Sequence, residues 1–253
     1  MTTPSDRTTA TPRRDFIGQL AASAIVLAST ACAAPASMGQ TTAPAPAPTP
    51  EGTPRPANPT VPVKWDDSWF GRLTAKHKAV FDSPAIEEGA VLSHAVGYIN
   101  GMRDAAGATY ADVQTVVVIR HSAIPMVFND AIWAKYELGK EIKLKDESTG
   151  KWALRNQFFV APPPRPNAPV RPPAPPERPQ GTLAWLAEHQ IVLGCDRATR
   201  GYAQLIAEKA KIPMQTAYEE LKANLLPGVI LQPTGVYAVH RAQEAGCTFI
   251  RST

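Results

Sequence analysis

Three cysteines in 253 residues are too few for a disulfide-stapled scaffold. Sixteen glycines without a three-residue period exclude a collagen-like chain. The sequence has no Gly-x-Gly-x-x-Gly, no phosphate loop and no Gly-x-Ser-x-Gly elbow. Nucleotide binding and serine-hydrolase chemistry therefore lose their usual supports, and no cofactor is expected. His94, His121, His189 and His240 show no His-x-x-x-His spacing, and Cys195 and Cys247 are far apart in the sequence. No metal site is expected from such a pattern, a His121–Cys195 pair being the one alternative. His94 and His240, beside apolar neighbours on helical stretches, read as core histidines. A net charge of +4, with much of the arginine scattered among prolines, builds no basic face for nucleic acid.

Proline is abundant instead, and it is unevenly placed. Of 26 prolines, nine lie between Pro35 and Pro62 and ten between Pro162 and Pro179. Residues 34–63 are Ala, Pro and Thr with almost no large apolar side chain. Such a stretch buries too little surface to offset its ordering entropy and reads as a semi-extended linker. The second cluster, 161–180, excludes helix and central strand alike, and reads as a solvated loop inserted in the folded part. The alternative is a polyproline arm that docks on a neighbouring subunit.

Ahead of the linker, Thr11-Pro12-Arg13-Arg14-Asp15-Phe16-Ile17 has the form of a twin-arginine export signal. The apolar run Phe16 to Ala31 is shorter than the roughly 20 residues of a spanning helix and fits the apolar region of a cleaved signal. Residues 1–33 are thus expected to direct export to the periplasm, with cleavage after Ala33 or Ala36. A second reading makes Cys32 a lipidated first residue of the mature chain, which would tether it to a membrane.

Residues 64–253 alternate strand-like and helix-like stretches. Strands are expected at Lys78–Phe81, Thr115–Ile119, Ile191–Leu193, Val229–Leu231 and Thr248–Ile250. Thr115–Ile119 is continuously apolar and β-branched, as in a strand buried on both faces. Helices are expected from Pro84 with Ser83 as cap, through Val91, Ala95, Tyr98 and Met102; along Val127, Ala131, Ala134 and Leu138; over Leu183–His189; from about Arg197 through Tyr202, Leu205, Ile206 and Ala210; after a Thr216–Glu219 capping box; and from Thr234 to a stop at Gly246. The pattern predicts a three-layer α/β domain, a five-stranded mostly parallel sheet with helices on both faces.

Ligands and reactive groups in such sheets gather beyond the carboxyl ends of the strands. Asp82, Arg120, His121, Cys195 and Gln232 all fall there. Cys195 also precedes a helix, whose positive end favours a thiolate, and His121, Arg197 and Arg200 are placed to add to that. Asp82, Arg120 and Gln232 are candidate ligand contacts. Cys247 lies at the opposite end of its strand, too far for a disulfide with Cys195.

The stretches Val117-Val118-Ile119-Arg120-His121, Ile191-Val192-Leu193-Gly194-Cys195, Pro227 to Val236 and Gln243 to Ile250 together resemble the DsrE/DsrF-like family over about residues 78–250. The resemblance implies a flavodoxin-like layering, a homo-oligomer, and a cysteine at the position of Cys195 that carries sulfane sulfur between an unidentified donor and acceptor. The export signal and the proline insertion depart from the cytoplasmic sulfur-relay members, which puts their partners in doubt. Two readings of another class stand beside it: a non-enzymatic module that binds a small ligand in the sheet-end pocket, and an interaction protein acting through the proline segment.

Overall fold

The computed structural model describes residues 64–160 and 178–252. Residues 1–63, on which the expected export signal and linker and Cys32 fall, and most of the second proline cluster lie outside them. Among the described residues no helix is long and apolar enough to cross a membrane.

Five strands form one sheet: β1 (His77–Ser83), β2 (Val113–Ile119), β3 (Ile191–Cys195), β4 (Val229–Gln232) and β5 (Thr248–Arg251). Their order is β4-β3-β2-β1-β5, and every neighbouring pair is parallel. The helices are α1 (Ala90–Ala106), α2 (Asp130–Lys135), α3 (Leu138–Glu141), α4 (Leu183–His189), α5 (Asp196–Ala210), α6 (Met214–Ala223) and α7 (Gly235–Glu244). Alternation along β2 shows why a two-sided sheet results. Val113, Val117 and Ile119 enter one core with residues of α1, α2, α4, α5 and α6. Val116 and Val118 enter the other, with Ala238 and Ala242 of α7 and the buried Trp69. A strand that presents apolar side chains to both faces needs cover on both, and here it has it.

The layers are those expected, whereas the strand order differs from the flavodoxin order 2-1-3-4-5. The chain steps from β1 to β4 in one direction and then crosses the whole sheet to β5. All connections before β4 run over one face, and α7 covers the other. The loops leaving β3 and β4 therefore part to opposite faces. The crevice between them is where a sheet of this kind binds its ligands.

Three helix boundaries differ from expectation. No helix starts at Pro84: Ser83 ends β1, and its hydroxyl donates to Ala85 O. Glu87, Glu88 and Gly89 follow with φ of 42°, 54° and 81°, a left-handed turn that delays α1 to Ala90. At its far end Gly107 supplies the left-handed residue, its N–H donating to Arg103 O while Ala108 N–H reaches Met102 O. Val127 to Leu138 is not one helix. A 3-10 segment, His121–Val127, precedes α2, and Ile132 and Trp133 are buried there while Ala131 and Ala134 face solvent. Thr216 and Glu219 lie inside α6, which starts at Met214 behind Pro213, so no capping box forms. The two helical histidines are not core residues: His94 is exposed, and His240 is exposed beside Glu244, 3.2 Å away.

Candidate functional site

The crevice between the diverging loops is a cavity of about 660 Å³ at the carboxyl ends of β2, β3 and β4. Cys195 is at once the last residue of β3 and the N-cap of α5. Its Sγ accepts a hydrogen bond from Ala198 N–H at 3.3 Å, and its carbonyl accepts from Thr199 Oγ1 at 3.1 Å. The residue is 6% exposed, lines the cavity, and is a free thiol. A sulfur held on a helix's first turn by a backbone donor has the support that a negative sulfur needs.

Arg120 leaves β2, lines the cavity and turns its guanidinium back toward Asp82 on the neighbouring strand. Its Nε and Nη2 donate to Asp82 Oδ1 and Oδ2 at 2.6 and 2.8 Å. Asp82 is 6% exposed, near the end of the neighbouring strand β1. The paired carboxylate raises the Arg120 pKa above its ordinary range; burial opposes this, and Cys195 adds a smaller electrostatic contribution. The aliphatic stem of Arg120 forms cavity wall and lies against Gly235. A Cβ at that glycine would sit 2.5 Å from both Cβ and Cδ of Arg120, so only glycine lets α7 start so close.

His121 adopts φ of +53°, an uncommon conformation for a residue with a side chain. The turn is pinned to the loop after β1, because Ser122 N–H and Oγ both donate to Pro84 O. The conformation sets the His121 ring at the cavity wall, exposed, with no hydrogen-bond partner among the described residues. Arg197 stands on the first turn of α5. Its backbone N–H reaches Pro233 O at 3.3 Å, tying the β3 and β4 loops together. Its guanidinium is exposed and has no ion pair or hydrogen bond among the described residues. Thr234 and Tyr202 also line the cavity. Thr234 caps α7 by accepting from Tyr237 N–H at 3.0 Å, and Tyr202 has its hydroxyl pushed up to about 12, chiefly by burial. The wall holds two arginines and one histidine, and no carboxylate.

Cys195, His121, Arg197 and Arg120, expected near one another from their places after strands, thus share one cavity. Asp82 stands behind Arg120 and does not line it. Gln232 does not line it either: fully buried opposite Cys195, it donates through Nε2 to Asp66 O at 2.9 Å and Leu231 O at 3.1 Å. Asp196, next to the thiol, turns away as well. Its carboxylate, 3% exposed, accepts from Arg200 Nε at 2.8 Å and from the Tyr218 hydroxyl at 2.5 Å, fastening α5 to α6. Burial and that carboxylate raise the Tyr218 pKa. Tyr202 and Thr234 were legible as a helix-face residue and a cap, but nothing local marks them as cavity wall. Cys247 belongs to the opposite core, with burial pushing its thiol up to about 11.

No protein-family model matches the chain. A search of curated proteins finds no match either.

Proposed function

We propose that this chain is an exported DsrE-like protein that carries sulfane sulfur, or undergoes related thiol redox chemistry, on Cys195. One observation carries the reading: a free thiol on the wall of a cavity that Arg197 and His121 share, hydrogen-bonded to the first turn of α5. The sequence stretches ending in His121 and Cys195 support the family, and Arg13-Arg14 with the apolar run behind them supports export. Charging is a displacement. The Cys195 thiolate attacks a sulfane sulfur, one S–S bond forms to Cys195, the donor's S–S bond breaks, and the electron pair leaves on the donor. Discharge to an acceptor thiolate is the same exchange in reverse, and no net oxidation occurs. The backbone N–H of Ala198 steadies negative sulfur before and after each step, and Arg197 and His121 face the species that enters or leaves.

Inorganic polysulfide is the direct test. Brief exposure, followed by intact mass and peptide mapping, is expected to add one sulfur atom at Cys195, none at Cys247, and to lose it to reductant. Failure of Cys195 to gain sulfur while folded would remove the reading. The second reading, a module that binds a small ligand without chemistry, draws on the slight exposure of Cys195 and the large cavity above it. It predicts a thiol inert to polysulfide until the chain unfolds. Homo-oligomerisation, expected of the family, is part of the proposal for either reading.

A further inference from the structure

Resting on the sulfur-carrier reading, we propose that the cavity takes as its donor a small oxyanion-bearing sulfane compound of the thiosulfate class, delivered from solution rather than by a protein persulfide. Access comes first. Cys195 is 6% exposed and reached through the cavity, so a donor sulfur fixed on a protein surface must enter the crevice between the β3 and β4 loops to touch it. A free anion of a few atoms fits within about 660 Å³ with room to turn.

Charge is the second observation. The wall contains no Asp or Glu. The one carboxylate beneath it, Asp82, is already engaged by Arg120, and the one beside the thiol, Asp196, is engaged by Arg200 and Tyr218. Arg197 is the cation left over, exposed and without a side-chain partner among the described residues. An unopposed guanidinium at the rim of a cavity selects oxyanions, which it binds through two parallel N–H donors. The third observation is convergence: α5 and α7, of 15 and 10 residues, both begin at this cavity, so their positive ends add to Arg197.

The reaction balances without a further reagent. The Cys195 thiolate attacks the outer sulfur of thiosulfate; the Cys195 S–S bond forms, the sulfur–sulfonate bond breaks, and sulfite departs with the electron pair. The charge of −3 is the same on both sides, as one thiolate and one dianion become one persulfide anion and one sulfite. Arg197 holds the oxyanion head that becomes the leaving group, so it favours the step twice, in binding and in departure.

The test compares two donors in the full chain, following persulfide on Cys195 by mass and sulfite release by a colorimetric trap. Wild type is expected to load from thiosulfate with equimolar sulfite, more slowly as ionic strength rises. Arg197→Gln removes an exposed, unpaired side chain and leaves the fold in place. It is expected to lower the thiosulfate rate by about tenfold or more, and the polysulfide rate by a smaller factor, since polysulfide is an anion without an oxyanion head to clamp. Loading from polysulfide but not from thiosulfate would overturn this inference and leave the sulfur-carrier reading standing. So would an unchanged thiosulfate rate in Arg197→Gln. Loading from neither donor would end both.

Discussion

Cys195→Ser is expected to abolish alkylation of the folded domain near neutral pH, a loss of more than about tenfold in rate. The contrast arises because the two described thiols occupy different surroundings. Cys195 opens on the cavity and accepts from Ala198 N–H. Cys247 is buried in the other core, and its thiol, pushed up to about 11, stays protonated at neutral pH. Serine is an effective N-cap, so its hydroxyl can take over the bond from Ala198 and the variant keeps α5. Peptide mapping follows each thiol separately, Cys32 included. The expected pattern is fast labelling at Cys195, almost none at Cys247 until denaturant is added, and slow appearance of Cys247 as pH rises toward 11. An unchanged total rate in Cys195→Ser would contradict the assignment of the reactive thiol.

Asp82→Ala is the second large effect. The Asp82 side chain is 8% exposed and receives two charge-assisted bonds from Arg120, whose own side chain is 26% exposed. Breaking a fully buried pair by removing one partner costs about 3–5 kcal/mol. Partial access of water to Arg120 reduces this, so about 2 kcal/mol is expected here. The urea midpoint should fall with little change in slope. Arg120 would also lose what turns it toward the neighbouring strand, and its stem packs on Gly235 at the start of α7. The double variant Asp82→Ala/Arg120→Ala is therefore expected to recover part of the loss. A cost below about 0.5 kcal/mol would show that the pair does not hold the cavity wall.

The sheet was legible because its signal is local and redundant. Thr115 to Ile119 is β-branched throughout and Ile191 to Leu193 is apolar at every position, and both lie inside strands, at the end of β2 and the start of β3. Helix starts were less legible because they depend on what surrounds them. Pro84 and Ser83 carry a good start signal, yet the left-handed run Glu87–Gly89 follows, where Gly89 packs on the Phe158 ring from a distant loop. Ile132 and Trp133 are buried in place of Ala131 and Ala134, since a helix of six residues orients by its largest side chains. The same division holds at the site. Cys195, His121 and Arg120 follow strands, and the rule that strand ends gather chemistry placed them together. Gln232 obeys the same rule in sequence but donates its hydrogen bond to the carbonyl of Asp66, 166 residues earlier, and nothing near Gln232 announces that partner. Arg120 is likewise a cavity residue whose charge is spent on Asp82, a pairing set by the register of β1 against β2.

The central claim is that Cys195 carries sulfur, and it is met most directly by the intact mass of the mature protein drawn from its native cells, before and after reductant. The account predicts a fraction heavier by one sulfur atom, mapped to Cys195 and removed by reductant. The same spectrum reports where the chain begins and whether Cys32 bears lipid. A homogeneous plain thiol at Cys195 that also resists polysulfide while folded would contradict the claim and favour a binding module in its place.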